Sequence, residues 1–131
     1  MNKVKIVCRA LIIDDQNRVL LVKKDKSDFW SLPGGKLDTD DINLQECLIR
    51  ELKEELAIET TVEDVLFVKE LHKNDTRYIE LIWKVILTSN TTFNTKNIYK
   101  ISSGELIDVQ WAKKDDLHNI DVKPEFLKNF I

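Results

Sequence analysis

Apolar and polar positions change their period several times along the chain, and each change marks an element. Val4 to Ile13 and Val19 to Lys24 are apolar-rich runs separated by Asp14-Asp15-Gln16-Asn17, four polar residues suited to a turn. The two runs predict a β-hairpin. Asp25 to Ile42 follows as a loop punctuated by Pro33, Gly34 and Gly35, strong breakers in a chain with only two prolines and three glycines. Leu44 to Leu56 carries a helical period. Thr61 to Leu71 and Tyr78 to Leu87 predict two more strands, with Lys73-Asn74-Asp75-Thr76 as the turn between them. Thr88 to Gly104 is polar and irregular, a long loop with one short strand near Ile98. Leu106 to Ala112 predicts a further strand, and Pro124 to Phe130 a closing helix with proline in its first turn. Mixed strands with one early and one late helix imply a layered α/β or α+β fold. The chain of 131 residues, without repeat or linker, fits one domain, 1–131, around one hydrophobic core.

The early helix has an unusual second face. At about 100° per residue, with Glu51 at zero, Leu48, Leu52, Leu56 and Ile49 fall between about 60° and 160° as one apolar stripe. Glu54, Glu51 and Glu55 form a narrow carboxylate stripe beside it. Asn43 is placed to cap the helix with Glu46 three residues on, and Ile42 with Cys47 to form a hydrophobic staple. Carboxylates at i, i+3 and i+4 repel by about 0.2–0.5 kcal/mol per pair on an exposed helix, and by more where water is partly excluded. Arg50 can pair with Glu54, but one cation does not balance three carboxylates. Two readings fit: a solvated acidic face, or a shared divalent cation. Oxygen-only ligands suit Mg²⁺, Mn²⁺ or Ca²⁺, and the absence of nearby His or Cys argues against zinc.

Composition narrows the classes. Hydrophobic residues make up 43% and charged residues 33%, the balance of a folded soluble protein rather than a disordered one. No apolar run approaches the roughly 18–20 residues of a membrane span, and Met1 to Ile13 lacks a secretory cleavage pattern. A net charge of −3 offers no general attraction for nucleic acid, so no stable nucleic-acid complex is expected. A polyanionic substrate then requires a metal or a local basic cluster. Cys8 and Cys47, without CxxC spacing, fit buried free thiols in a reducing compartment, which points to the cytoplasm and no membrane.

Gly35 to Ile58, GKLDTDDINLQECLIRELKEELAI, resembles the Nudix box, G-x5-E-x7-R-E-U-x-E-E-x-G-U with U aliphatic. Gly35 matches the first glycine, Arg50, Glu51, Leu52, Glu54 and Glu55 match the R-E-U-x-E-E core, and Ile58 matches the last aliphatic position. Trp30-Ser31-Leu32-Pro33-Gly34 is similar to the family's usual approach to its box. Three positions depart from the pattern. Asp41 stands where the first glutamate belongs, eight residues rather than seven separate it from Arg50, and Ala57 replaces the glycine at the helix end. If that last position is left-handed, alanine costs about 1 kcal/mol relative to glycine.

The resemblance extends over nearly the whole chain and implies a Nudix-type α/β/α sandwich with a mixed β-sheet, MutT-like in size. It implies a Mg²⁺-dependent hydrolase (Mn²⁺ a substitute) that cleaves a phosphoanhydride in a nucleoside diphosphate linked to another moiety. By that resemblance Glu51, Glu54 and Glu55 hold the metal, with a backbone carbonyl at Gly34 or Gly35 completing the shell. Arg50 orients the carboxylates, and Lys36 contacts a phosphate. Glu105 is the candidate for the later acid that many Nudix enzymes use as ligand or base, its alternative being a solvated loop residue. Arg9 either holds a phosphate or sugar or lies on the strand's polar face. Trp30, Phe29 and Tyr78 either stack on a base or belong to the core, where Trp83 and Trp111 are expected. His72 and His118 are isolated, with no catalytic partner legible.

Absent subgroup marks lean the substrate towards a nucleoside triphosphate, cut to monophosphate and pyrophosphate. ADP-ribose, a nucleotide sugar or a dinucleoside polyphosphate is the alternative, and a non-catalytic nucleotide-sensing module is an alternative of another class. The expected partner is a small-molecule nucleotide, with a homodimer as the family-level expectation.

Overall fold

The computed structural model describes residues 3–88, 97–123 and 127–130. Strands β1 (Lys3–Ile12), β2 (Arg18–Lys24), β3 (Trp30–Ser31) and β4 (Gly34–Lys36) precede helix α1 (Leu44–Leu56). Strands β5 (Thr60–Lys73) and β6 (Thr76–Leu87), helix α2 (Ile98–Ile101) and strand β7 (Leu106–Lys113) follow. A 3₁₀ helix (Lys114–Asn119), strand β8 (Val122–Lys123) and helix α3 (Leu127–Phe130) complete the order. One sheet has the order β4-β1-β6-β5, with β1 parallel to β6 and antiparallel to β4. The other has the order β7-β2-β3-β8, with β2 antiparallel to β7 and β3, and β3 parallel to β8. The mixed α+β class expected from the sequence holds, with the mixed pairing divided between two sheets.

The expected β1–β2 hairpin does not form. The strands diverge into different sheets, joined by the single bridge Ile13↔Val19. Over Val7 to Ile12 of β1 and Val19 to Val22 of β2, both faces are covered. Cys8, Ala10 and Ile12 join Leu20 and Val22 in the core beneath α1, which also takes in Leu48, Leu52, Trp83 and Val109. Leu11 joins Val19 and Leu21 in a second core with Ile82, Leu117 and Leu127. A strand covered on both faces reads as a continuous apolar run, and such a run does not specify its partner. The polar turn is real: Asp14 Oδ1 accepts from the Gln16 and Arg18 amides, and Asn17 takes φ 59°.

The β5–β6 hairpin forms as expected, tightened to a two-residue turn. Asn74 and Asp75 have φ of 51° and 60°, the pair of left-handed conformations that matches the twist of flanking strands. Helix α1 spans the expected Leu44–Leu56, and the Asn43 side chain accepts from the Glu46 amide at 2.8 Å. The staple does not form: Ile42 is 89% exposed while Cys47 is buried. The chain entering the helix is held instead by Asp41, whose carboxylate receives the Arg50 fork. Ala57, after the last turn, is left-handed (φ 55°, ψ 39°) and donates its amide to the Lys53 carbonyl.

Near Ile98 the short strand expected from sequence is a helical turn, α2, with Ile98 buried under α1. Residues 89–96 of the expected loop, and the proline of the closing helix, lie outside the described residues. The closing helix is described from Leu127. Cys8 and Cys47 are buried free thiols, as expected. Burial pushes both thiols up, Cys47 to about 12, so they sit in the core as neutral groups.

Candidate active site

Helix α1 turns its apolar stripe into the core, which fixes where its carboxylates point. Leu48, Leu52 and Leu56 are buried, and Glu55, next to that stripe, goes in with them at 2% exposure. Its Oε2 accepts from the Gly34 amide at 3.4 Å. Glu51, one turn earlier, is half-buried and accepts from Arg50 Nη1 at 3.0 Å. Glu105 approaches from the loop between α2 and β7. Buried Ser102 shapes that loop, its hydroxyl accepting from the Leu106 amide at 2.9 Å, while the Glu105 carbonyl accepts from the Asp25 amide. Carboxylate oxygens of Glu51, Glu55 and Glu105 thereby lie within 4.8 Å of one another. Glu54 stays outside this trio, its carboxylate 3.2 Å from Arg50 Nη1 and facing solvent.

Electrostatics of the trio follow from burial and crowding. Burial pushes the Glu55 carboxyl up to about 8, with Lys24 acting against it and Glu51 adding to it. Burial likewise raises Glu51, opposed by Arg50 and reinforced by Glu54 and Glu105. Three mutually repelling carboxylates, one of them desolvated, with oxygen as the sole donor type, fit a hard divalent cation.

Arg50 is the organising cation. Its Nε and Nη2 bind both oxygens of Asp41 at 2.8 and 2.9 Å, and Nη1 reaches Glu51 and Glu54. Nη2 also donates to the Lys36 carbonyl at 3.2 Å. The fork raises the affinity of Arg50 for its proton and holds Asp41 well below the usual carboxylate range. Asp41, one methylene short of glutamate, thus reaches Arg50 bidentately despite the extra loop residue. That residue is absorbed in a tight turn, where the Asp38 amide donates to Asp41 Oδ2 and the Asp41 amide to the Asp38 carbonyl.

The two glycines are needed for close approach. Gly34 has φ 145°, and a Cβ there would collide with the Cys8 carbonyl on β1. A Cβ on Gly35 would fall inside the Glu51 carboxylate. The main chain of β4 therefore touches the carboxylate site directly.

Between the two sheets, beside Gly35, lies a cavity of about 420 Å³, within the ordinary range for small-molecule sites. Its cations are Arg9, Lys24, Lys36, Lys69, Lys73 and Lys123, and Phe29 and Tyr78 also line it. Arg9 donates from Nε to Glu80 Oε1 and from Nη1 to the Leu32 carbonyl, both at 3.1 Å. Lys36 Nζ stands 6.0 Å from the Tyr78 ring centroid. Trp30, for which stacking on a base and a place in the core are the two expectations, does not line this cavity. Strand alternation sends Ser31 inward and packs Trp30 against the second core, with Lys23 Nζ 5.8 Å from its ring centroid. Trp83 is core and Trp111 packs against it, as expected. His72 is exposed and meets Glu70 at 3.5 Å, while His118 is an exposed residue of the 3₁₀ helix.

Lys24 carries no functional mark in the sequence. It ends β2 beside a bulge, where an exposed lysine looks unremarkable. Partial desolvation and Arg9 lower its pKa, Glu55 and Glu105 act in the opposite direction, and the residue lines the cavity.

Known proteins resemble the chain in sequence and in fold. An uncharacterised Nudix hydrolase of Bacillus subtilis (strain 168), YvcI, is 24% identical over 113 residues, covering 86% of this chain and 69% of that protein. A CTP pyrophosphohydrolase of Escherichia coli (strain K12) is 38% identical over 66 residues, 47% of each chain. The crystal structure of a MutT protein from Methanosarcina mazei Go1 superposes with a TM-score of 0.74 at 21% identity, covering 99% of this chain and 92% of that one. The family model described as NUDIX domain matches residues 4–131, and the chain belongs to the Nudix hydrolase family.

Proposed function

We propose that this chain, acting as one domain, hydrolyses a phosphoanhydride of a nucleoside triphosphate, releasing a monophosphate and pyrophosphate with Mg²⁺ as cofactor. The observation that carries this reading is the convergence of Glu51, Glu55 and Glu105 within 4.8 Å beside a cavity lined by cations. Glu51, Glu55 and Glu105 would hold the metal, joined by a main-chain carbonyl at Gly34 or Gly35. Glu54 would join by swinging its exposed side chain away from Arg50. When bound, Mg²⁺ supplies charge neutralisation at the phosphate oxygens and makes water a better nucleophile.

The chain's own residues do the rest. Arg50 holds Glu51 and Glu54 in register through its anchor on Asp41. Lys36, Lys24 and Arg9 take the phosphate charge, and Phe29 or Tyr78 supplies an apolar plate for the base. Water attacks phosphorus in line, the bridging P–O bond breaks towards the leaving phosphate, and the water's proton passes to a carboxylate, with Glu105 the candidate. The CTP activity named for the Escherichia coli relative supports a nucleoside triphosphate as substrate. Free buried thiols support a reducing, cytoplasmic setting, and a homodimer is the assembly we expect.

A Mg²⁺-supplemented panel of nucleoside triphosphates, nucleotide sugars, ADP-ribose and dinucleoside polyphosphates tests the reading. Release of pyrophosphate from a triphosphate is expected, and Glu54→Gln should lower kcat at least about 10²-fold with the fold intact. Turnover confined to another member of the panel would move the substrate. Near-normal turnover by Glu54→Gln would remove that residue from the ligand set.

A further inference from the structure

The cavity floor is a face of the β4-β1-β6-β5 sheet, and the lysines of that floor stand on its two outer strands, Lys36 on β4 and Lys69 and Lys73 on β5, with Arg9 on β1 between them. Lys36, Val7, Glu80 and Lys69 are successive partners across the four strands, so they lie in one row on one face. With strands about 4.8 Å apart, the backbones of Lys36 and Lys69 stand roughly 14 Å from each other. Lys73, four residues further along β5, faces the same cavity. Tyr78 pairs with Leu71 between those two lysines and meets the Lys36 ammonium from the other side. The order across the floor is therefore cation, aromatic ring, cations.

The Lys36 end adjoins the carboxylates and serves the scissile phosphates. The β5 end does not. Among the described residues neither Lys69 nor Lys73 has a carboxylate within 4.0 Å, and Glu80, the acid of the cavity lining, is engaged by Arg9 at 3.1 Å. Lysines on an edge strand often serve only to block edge pairing. These two are turned into a cavity already rich in positive charge, in a chain of net charge −3, and Lys69 is half-buried there. Like charges gathered around a concave site raise the local concentration of anions.

We propose that the β5 end, built from Lys69 and Lys73, is a second phosphate subsite, selecting nucleotides that carry a phosphate ester on the ribose besides the 5′-phosphate chain. This rests on the nucleotide reading above and names a substrate class within it. The base lies over Tyr78, the 5′-phosphates lie towards Lys36 and the carboxylates, and the 2′- or 3′-phosphate lies between the β5 lysines.

Calorimetric titration with nucleoside 5′-monophosphates and their 2′,5′- and 3′,5′-bisphosphates, in Mg²⁺, tests the subsite without turnover, since none contains an anhydride. For at least one base the bisphosphate should bind about 10-fold or more tighter, equivalent to about 1.4 kcal/mol. In Lys69→Ala/Lys73→Ala that preference should fall to within about 2-fold while monophosphate binding holds. Lys69→Gln/Lys73→Gln, which keeps the side-chain bulk, should behave alike. No preference in the parent chain for any base, or a preference that survives both variants, would overturn the proposal. So would a loss in the variants confined to α,β-methylene triphosphates, because the lysines would then serve the phosphate chain. Bisphosphate preference without hydrolysis of any panel member would sink the hydrolase reading alone. Hydrolysis without the preference would sink the subsite alone.

Discussion

Replacing Glu55 by glutamine should flatten the metal-free chain's dependence of stability on pH. Glu55 is 2% exposed, and burial lifts its carboxyl to about 8, whereas an unfolded glutamate titrates near 4.3. Between about pH 4.5 and 8 the folded chain keeps a proton that the unfolded chain has released. This stabilising contribution is complete below about pH 4.5 and is lost as pH rises through about 8. The slope approaches −1.4 kcal/mol per pH unit, and the whole window amounts to on the order of 4–5 kcal/mol. That is a large share of the 5–15 kcal/mol typical of folded domains. Glutamine has the carboxyl's shape but no proton to lose. Urea denaturation of the parent chain and Glu55→Gln, from pH 5 to 8.5 in chelator, isolates the contribution. The stability difference should swing towards the variant as pH rises. Added Mg²⁺ should restore the parent chain at pH 8, since the cation takes the proton's place, and restore the variant far less. A difference that stays constant across the pH range would refute the account of Glu55.

Other consequences are local. Ala57→Gly should stabilise the chain by about 0.5–1 kcal/mol, since φ 55° strains alanine and glycine's unfolded-state entropy offsets part of the relief; a melting curve checks it. Gly35→Ala should weaken Mg²⁺ affinity at least about 10-fold by displacing Glu51, read by metal titration, and unchanged affinity would contradict the close approach. Asp41→Asn should lower kcat/KM about 10-fold with substrate binding retained, because Arg50 loses its anchor. Steady-state kinetics on the substrate found in the panel separates kcat from KM.

Part of this was legible because it is local. The period from Leu44 to Leu56, the Asn43 cap and the carboxylate stripe depend on neighbours within one or two turns, and they stand where the pattern put them. Burial of Cys8 and Cys47 followed from residue type. The parts that were not legible depend on what lies across the fold. Continuous apolar runs in β1 and β2 meant burial on both faces, and the sequence carried no mark of separate sheets. Ile42 looked like a staple because spacing alone ignores the Asp41–Arg50 clamp that sets the helix entry. Residue type alone leaves Trp30 open between a stacking plate and the core, and a single residue of alternation, set by strand pairing, turns it away from the cavity. Glu105 was legible only by resemblance, and Lys24 not at all, since each meets the site through strands paired across long stretches of chain.

The parallel pairing of β1 with β6 has a kinetic consequence. Contacts such as Arg9–Glu80 close a loop of 71 positions, and non-local pairings of this kind form slowly because their entropy is paid before their contacts reward it. Helix α1 and the β5–β6 hairpin are local and can form early. Strand β4, which carries Gly35 against Glu51, pairs with β1 in that same sheet. On the metal reading proposed above, a chain still assembling would carry the glutamates of α1 without the β4 backbone beside them, and tight cation capture would come late in folding rather than at its start.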